Sequence, residues 1–293
     1  MSNSDLIIEE RSRDIGDFMV GRLIPFRKKR MVGPFIFIDH MGPSNIGPDN
    51  YLDVDQHPHI GLSTLTFLLE GEIVHQDSMG TNQKIVPGSV NWMVAGKGVT
   101  HTERTPESMR DGGTTYGLHG YQIWVALPKA LEFMEPEFHH LDKADLPSWS
   151  DGPAAFVLVA GKGFGKESPL PVHSELFMVE IKASEDYTLE INGQLDGEIG
   201  ICIVEGSIQA CEHHVEAGNM LVSKTDNACN LTMKAGTHIF LFGGKPFLEE
   251  RFISWNWVAT DKETLAKAKQ DWIDKKFPKV PGDDSYIPYP GKS

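Results

Sequence analysis

The chain has 293 residues, 40% of them hydrophobic and 23% charged, with a formal net charge of −14 and a pI near 5.3. This length accommodates two domains or one large β domain, and the composition is ordinary for a soluble globular protein. The negative charge argues against a nucleic-acid backbone or an anionic membrane surface as the main partner.

The N-terminal stretch "MSNSDLIIEERSRD" has no basic start followed by an apolar core, so it does not read as a signal peptide. No apolar run approaches the ~20 residues of a membrane helix. The basic cluster "FRKKR" at 26–30 lies between apolar runs and reads as a charged turn or strand edge. From about residue 18 to 258, short β-rich runs alternate with Gly, Pro, Asn and Asp. They include "PFIFID", "LTFLLEGEIVHQD", "VNWMVAG", "YQIWVAL", "AFVLVAG", "ELFMVEI", "IGICIVEGSIQAC" and "THIFLFGG". Such dense turn signals predict an all-β sandwich or barrel. Only the end reads as helix. "TDKE" at Thr260–Glu263 has capping-box spacing, Leu265, Ala268, Trp272 and Ile273 recur at helical spacing, and Pro278 stops the run. An extended tail follows.

The three cysteines, Cys202, Cys211 and Cys229, all lie in the second half. Their odd number and spacing fit neither a disulfide framework nor a Cys-only metal site, and predict a reducing, cytoplasmic setting. A weak internal repeat is visible. "LTFLLEGEIVHQD" matches "IGICIVEGSIQAC", and "VPGSVNWMVAG" matches "EAGNMLVSKTD". Two copies of one β-barrel are expected, with an N-terminal domain at 1–150, a second at 151–258, and a helix and tail at 259–293.

His57 and His59 stand two apart at the head of a strand-like run, so they share a face. His101 and Glu103 repeat that spacing one β unit later. Three neutral imidazoles and a carboxylate suit Fe(II), Mn, Ni, Cu or Zn. Four protein ligands on an octahedral ion leave two positions for water, dioxygen or a chelating substrate. An isolated His-x-His pair on a strand is more often structural; the second pair brings the metal reading level with the structural one.

The order His57-x-His59, Glu70-Gly71, Gly98-x-x-His101 resembles the cupin pattern. The fuller strings "GPFIFIDHMGP" (33–43), "HPHIGLSTLTFLLEGEIVHQDSMG" (57–80), "VPGSVNWMVAGKGVTHTE" (86–103) and "LHGYQIWVALP" (118–128) resemble the pirin family. The resemblance implies a monomeric bicupin of two tandem jelly-roll-like barrels, with one mononuclear divalent metal in the N-terminal barrel. It implies Fe(II) ahead of Mn, Ni, Cu, Zn or Co, held by His57, His59, His101 and Glu103. A standard cupin has a glutamate at the position of Thr64; here the carboxylate comes from Glu103, as in pirins. Two functions follow from the resemblance. One is a quercetin 2,3-dioxygenase-like enzyme acting with dioxygen on a flavonol or related enol or catechol, with Glu103 as ligand or general base. The other is a metal- or redox-sensing regulatory protein that binds a transcription factor or metabolic enzyme. A further cupin reaction, isomerisation or decarboxylation, needs no other ligand set.

Aligning Gly71 with Gly206 puts His57 and His59 on Asn192 and Gln194. Aligning Gly88 with Gly218 puts His101 and Glu103 on Leu231 and Met233. The second barrel is therefore expected to be metal-free. The loop "AGKGFGKES" at 160–168 fails the phosphate-loop pattern at Ala160 and Glu167 and reads as a turn. His213 and His214 are expected on the surface. "FHHLDKAD" at 138–145 is assigned no metal. His40, His75 and His119 lack partners in sequence, and a hydrogen-bonded structural role is expected for His75. Phe35, Phe67, Trp92 and Met93 read as core.

Overall fold

A computed structural model describes residues 5–14, 18–110, 113–225 and 230–291. The chain forms two compact units. One comprises Met1–Ser12, Gly21–Ile38 and Leu141–Phe247; the other, the histidine unit, comprises Arg13–Val20, Asp39–His140 and Leu248–Ser293. The opening strands are β1 (Leu6–Glu9), β2 (Arg11–Asp14) and β3 (Met19–Ile24). "FRKKR" makes the expected turn, with Phe26 and Lys29 exchanging backbone hydrogen bonds at 3.0 and 3.1 Å.

The histidine unit is built from residues 39–46 of β4 (Phe35–Ile46), then β5 (Asp53–His59), β6 (Leu62–Glu70), β7 (Ile73–Asp77), β8 (Asn82–Ile85), β9 (Val90–Val94), β10 (Val99–Arg104), β11 (Tyr116–Ala126) and all but the last residue of β12 (Glu137–Leu141). The order β12-β9-β6-β11-β4-β3-β2 forms one sheet and β5-β10-β7-β8 a second. Phe18, Ile46, Leu52, Leu68, Ile73, Ile85 and Leu118 fill part of its interior.

The other unit repeats this plan with β13 (Ser148–Asp151), β14 (Ala154–Gly163), β15 (Lys166–Glu167), β16 (Leu176–Ala183), β17 (Tyr187–Leu189), β18 (Glu198–Glu205), β19 (Ser207–Ala210), β20 (His213–Glu216), β21 (Asn219–Lys224), β22 (Leu231–Met233) and β23 (His238–Gly244). Its sheets run β1-β21-β18-β23-β16-β14-β13 and β17-β22-β19-β20. The runs β9-β6-β11-β4 and β21-β18-β23-β16 occupy matching places, as do β5-β10-β7-β8 and β17-β22-β19-β20. The repeated Glu-Gly closes corresponding turns: Gly71 has φ 86° and Gly206 φ 73°. A Cβ on Gly71 would lie 2.6 Å from the Gly117 carbonyl oxygen, so both conformation and space require glycine. The loop at 160–168 is the β14–β15 turn. Adjacent on β20, His213 and His214 keep 37% and 56% of their side chains exposed.

The C-terminal residues fold onto the histidine unit as β24 (Phe252–Ser254), β25 (Trp257–Ala259) and α1 (Lys262–Ile273). The helix N-cap is Asp261 rather than Thr260: its carboxylate accepts from Thr264 N–H at 2.7 Å, while the Thr260 hydroxyl donates to Glu132 at 2.9 Å. Leu265, Ala268 and Trp272 form the buried stripe, and Ile273 is exposed. The cysteine reading also changes. Cys211 is disulfide-bonded, whereas Cys202 is free and buried, so the cysteines are not all free thiols. Cys229 lies outside the described residues. No described helix is long and apolar enough to cross a membrane.

β5 is an edge strand, which explains how it tolerates Pro58 between two histidines: the missing N–H costs no ladder bond on the open side. The tail closes that edge. Gln56 N–H donates to Ser285 Oγ at 3.2 Å, and its carbonyl accepts from Ile287 N–H at 3.0 Å. Its buried side chain donates to the carbonyls of Asp283 and Ser285, both at 2.9 Å, and accepts from Val280 N–H at 2.8 Å. A Gln56→Ala substitution leaves these buried partners unpaired and is expected to cost about 1–3 kcal/mol. Thermal melting should fall and limited proteolysis should cut the 278–291 tail sooner; unchanged cleavage would show that other contacts hold it.

Candidate metal centre

Three adjacent strands each present a pair of side chains on one face. β10 carries His101 and Glu103, β5 carries His57 and His59, and β7 carries His75 and Asp77. His101 lies opposite His57 on one side and Asp77 on the other, and Glu103 lies opposite His75. A bulge in the β5–β10 register follows the His57–His101 pair.

His57, His59 and His101 each bring a ring nitrogen within 4.8 Å of the others, and all three are buried. The Nε2 atoms of His59 and His101 are 3.0 Å apart. The other ring nitrogens are engaged elsewhere. His57 Nδ1–H donates to the Asp55 carbonyl at 2.8 Å, and His59 Nδ1–H donates to the Asn256 carbonyl at 3.0 Å. His101 Nδ1 lies 3.2 Å from His75 Nδ1, and His75 Nε2 lies 3.2 Å from Asp77 Oδ2. Carbonyls and carboxylates only accept, so His57 and His59 carry their protons on Nδ1, and the His75 proton sits on Nε2. His75 Nδ1 is then an acceptor, and the His101 proton sits on Nδ1. The Nε2 atoms of all three are left unprotonated, the form in which an imidazole binds a metal.

The structure thus gathers the three predicted histidines. Glu103 joins them through His101: its carboxylate lies within 4.8 Å of ring nitrogens of His101 and His75, in a second group of potential donors. The Thr66 hydroxyl lies 2.8 Å from Gln122 Oε1 and 3.2 Å from Glu103 Oε1, and its single proton serves one at a time. Trp124 meets His59 edge-on at 5.2 Å, and Phe138 stacks on His75 at 4.8 Å. Met93 and Val99 pack in one cluster with Phe138.

Burial lowers the His57 pKa to about 4, against a partial pull upward from the Asp55 carbonyl. Burial first, then the His57 ring, holds His59 and His101 well below the ordinary value. All three are therefore neutral near pH 7, the form that binds metal. Burial raises the Glu103 carboxyl, opposed by His75 and Thr66. Burial also pushes Asp77 up, but hydrogen bonds from His75 and Thr81 win and its pKa falls.

Sequence reasoning underused His75 and missed Asp77. The available signal was "HQD", the same two-residue spacing as the ligand pairs on the outgoing strand. His40 and His119 prove to be partners, with Nε2 atoms 2.8 Å apart and His40 stacked on Tyr121. His139 pairs with Glu137 and His140 with Asn91. Phe35 packs on Phe242 at 5.1 Å, within the unit that lacks the histidines. There Leu231 and Met233 are fully buried in apolar core, and Asn192 and Gln194 lie exposed in a turn. A cavity of about 780 Å³ also belongs to that unit, lined by Leu170, Phe177, Lys245 and neighbours, and no site histidine borders it. Volume alone does not locate chemistry.

Comparison with known proteins adds the family. The Pirin family model matches residues 17–125, and the Pirin C-terminal cupin domain model matches residues 178–278. A pirin-like protein of Caulobacter vibrioides is 40% identical over 98% of this chain and 99% of its own length. A solved structure described as quercetin 2,3-dioxygenase from Acinetobacter baumannii superposes with a TM-score of 0.90 at 34% identity, covering 99% of this chain and 96% of that one. A bacterial pirin, YhhW from Escherichia coli in complex with nickel(II), shares the fold with a TM-score of 0.63 at 19% identity, over 83% of this chain and 100% of that one.

In metal-free protein the buried histidines make stability depend on pH. His57 titrates near 4 when folded and near 6.5 when unfolded, so the unfolded chain takes the proton first. The contribution is fully present above pH 6.5 and is lost as pH falls toward 4, at on the order of 3 kcal/mol for His57. Denaturant unfolding at pH 7.5 and 4.5 should show this drop, and His57→Gln should flatten it. Equal slopes for wild type and variant would refute the assignment.

Proposed function

The chain belongs to the pirin family, and from that premise we propose that it is a metal-dependent dioxygenase of the quercetin 2,3-dioxygenase type, acting on a flavonol or related enol or catechol. The observation that carries the reading is the convergence of three Nε2 lone pairs whose Nδ1 atoms are all bonded elsewhere. His57, His59 and His101 hold the ion, and Glu103 completes the set. Such donors accept Fe(II), Mn, Ni, Cu, Zn or Co. Dioxygen chemistry makes Fe(II) the first ion to test, and the nickel(II) complex of the E. coli pirin makes nickel the second.

A bound divalent ion would supply Lewis acidity toward the oxygens of a deprotonated substrate and of dioxygen. The remaining work falls to the chain. The histidines arrive neutral and already oriented, so little reorganisation opposes metal capture. Glu103 has the proton affinity a general base needs, because burial raises its pKa. It takes the substrate hydroxyl proton, and Thr66 then turns its own proton toward Gln122. Trp124, Phe138 and Met93 keep the site apolar and limit water. The substrate is a small molecule, the co-substrate is dioxygen, and the protein acts as a monomer.

Protein purified without added metal should carry about one metal per chain by elemental analysis, and a His57→Ala/His101→Ala variant none. Equal content in both would end the ligand assignment. Iron-loaded wild type should bleach the flavonol absorbance of quercetin in air. Glu103→Gln should keep the protein folded and lower that rate roughly 10²–10⁴-fold. A stable metal with no turnover of quercetin or simple catechols would turn the assignment to a metal-sensing regulatory protein.

A further inference from the structure

The ligand histidines are not supported alike. His57 and His59 each donate to a neutral backbone carbonyl. Behind His101 stands a second imidazole, and behind that a carboxylate. Asp77 is fully buried. Its Oδ1 accepts from the backbone N–H groups of Met79 at 2.9 Å and Thr81 at 3.1 Å, which fixes the carboxylate plane and leaves Oδ2 for His75. Phe138 fixes the His75 ring by stacking.

A buried carboxylate is costly without positive charge nearby. Among the described ion pairs, Asp77 has only His75 as a partner, and His75 at 4% side-chain exposure is itself buried. No lysine or arginine serves it there. We infer that His75 and Asp77 are positioning residues that form a carboxylate–imidazole relay, fixing the tautomer and plane of His101 and strengthening its metal-facing nitrogen as a donor. The inference rests on the metal reading above and deepens it. His101 becomes the strongest donor of the three, so a change in the relay reaches the ion through one ligand only.

The relay makes a tautomer prediction that packing alone does not. In Asp77→Asn the backbone N–H groups of Met79 and Thr81 claim the amide oxygen. The amide NH₂ then faces His75 Nε2 and drives the His75 proton to Nδ1. That proton opposes the one on His101 Nδ1 and pushes it to Nε2, the metal-facing atom. The variant is nearly isosteric, yet its His101 is wrongly protonated for binding.

The experiment is Co(II) binding by wild type, His75→Leu, His75→Asn and Asp77→Asn, with affinity from chelator competition and the ligand field from the visible spectrum. Wild type should bind one Co(II) per chain. His75→Leu and Asp77→Asn should bind 10–100-fold more weakly with shifted bands. His75→Asn should recover most of the affinity, because its Oδ1 sits near the lost Nδ1 and accepts the same hydrogen bond. Circular dichroism and melting of the metal-free proteins identify any variant that has merely failed to fold. Wild-type affinity and spectrum in both His75→Leu and Asp77→Asn would overturn the relay while leaving the metal site standing. Two Co(II) per wild-type chain, falling to one in both His75 variants, would make His75 a ligand to a second ion with His101 and Glu103 and would also overturn it. No Co(II) on the wild type would remove the metal reading itself.

Discussion

The centre depends on an edge strand held straight. β5 carries two of the three clustered histidines, yet only one side of it is paired within its sheet. An open edge invites slippage, and a one-residue slip turns His57 and His59 to the opposite face. The last forty residues prevent this at three points. Gln56 is pinned by the tail, Ile60 accepts from Val258 N–H at 3.1 Å, and His59 is oriented by the Asn256 carbonyl. Helix α1 serves the same end. Trp272 donates its indole N–H to Ile287 and stacks on Tyr286 at 4.5 Å, tying the tail to the helix. The histidine cluster is local in space but draws on residues nearly two hundred positions apart.

Burial then determines the chemical state of the cluster. Three imidazoles packed with ring centroids 4.3–5.1 Å apart could not all be charged. Desolvation first, then repulsion among the rings, keeps them neutral. The same burial acts oppositely on the acids. Glu103 is pushed toward its protonated form, while Asp77 stays ionised because donors meet both its oxygens. Two carboxyl groups near one histidine are thereby set apart, one disposed to exchange a proton and one to hold a fixed charge.

Much of this was legible in the residues. Period-two placement put His57 with His59 and His101 with Glu103, and neighbouring strands did bring the histidines together. The Glu-Gly repeat revealed the duplicated barrel because a left-handed turn admits little besides glycine. What stayed hidden was whatever depends on strands meeting. "HQD" carries the same spacing as the His57–His59 and His101–Glu103 pairs, but its contact with His101 exists only because β7 lies on the far side of β10 from β5. Asn256 contributes a backbone carbonyl, for which no side chain gives a signal. The His40–His119 contact is likewise a product of tertiary approach. The Thr260 cap failed for a smaller reason: Thr260 and Asp261 are both good caps, and Asp261 alone has its carboxylate aimed at the third N–H of the helix.

The duplicated barrel separates fold from function within one chain. β10 and β22 hold equivalent places between flanking strands, β5 and β7 in one case, β17 and β19 in the other. On β10 the inward positions are His101 and Glu103; on β22 they are Leu231 and Met233, packed among Ile201, Ile208 and Leu241. An apolar interior stabilises by roughly 1.5–3 kcal/mol for each large side chain buried. A cluster of buried imidazoles and carboxylates contributes no such gain and needs a hydrogen-bond partner for every ring nitrogen that is not left bare. The extra machinery of the histidine unit, the Asn256 carbonyl, the His75–Asp77 pair and the tail on β5, supplies those partners. The equivalent positions of the second barrel need none of it, because leucine and methionine are satisfied by packing alone.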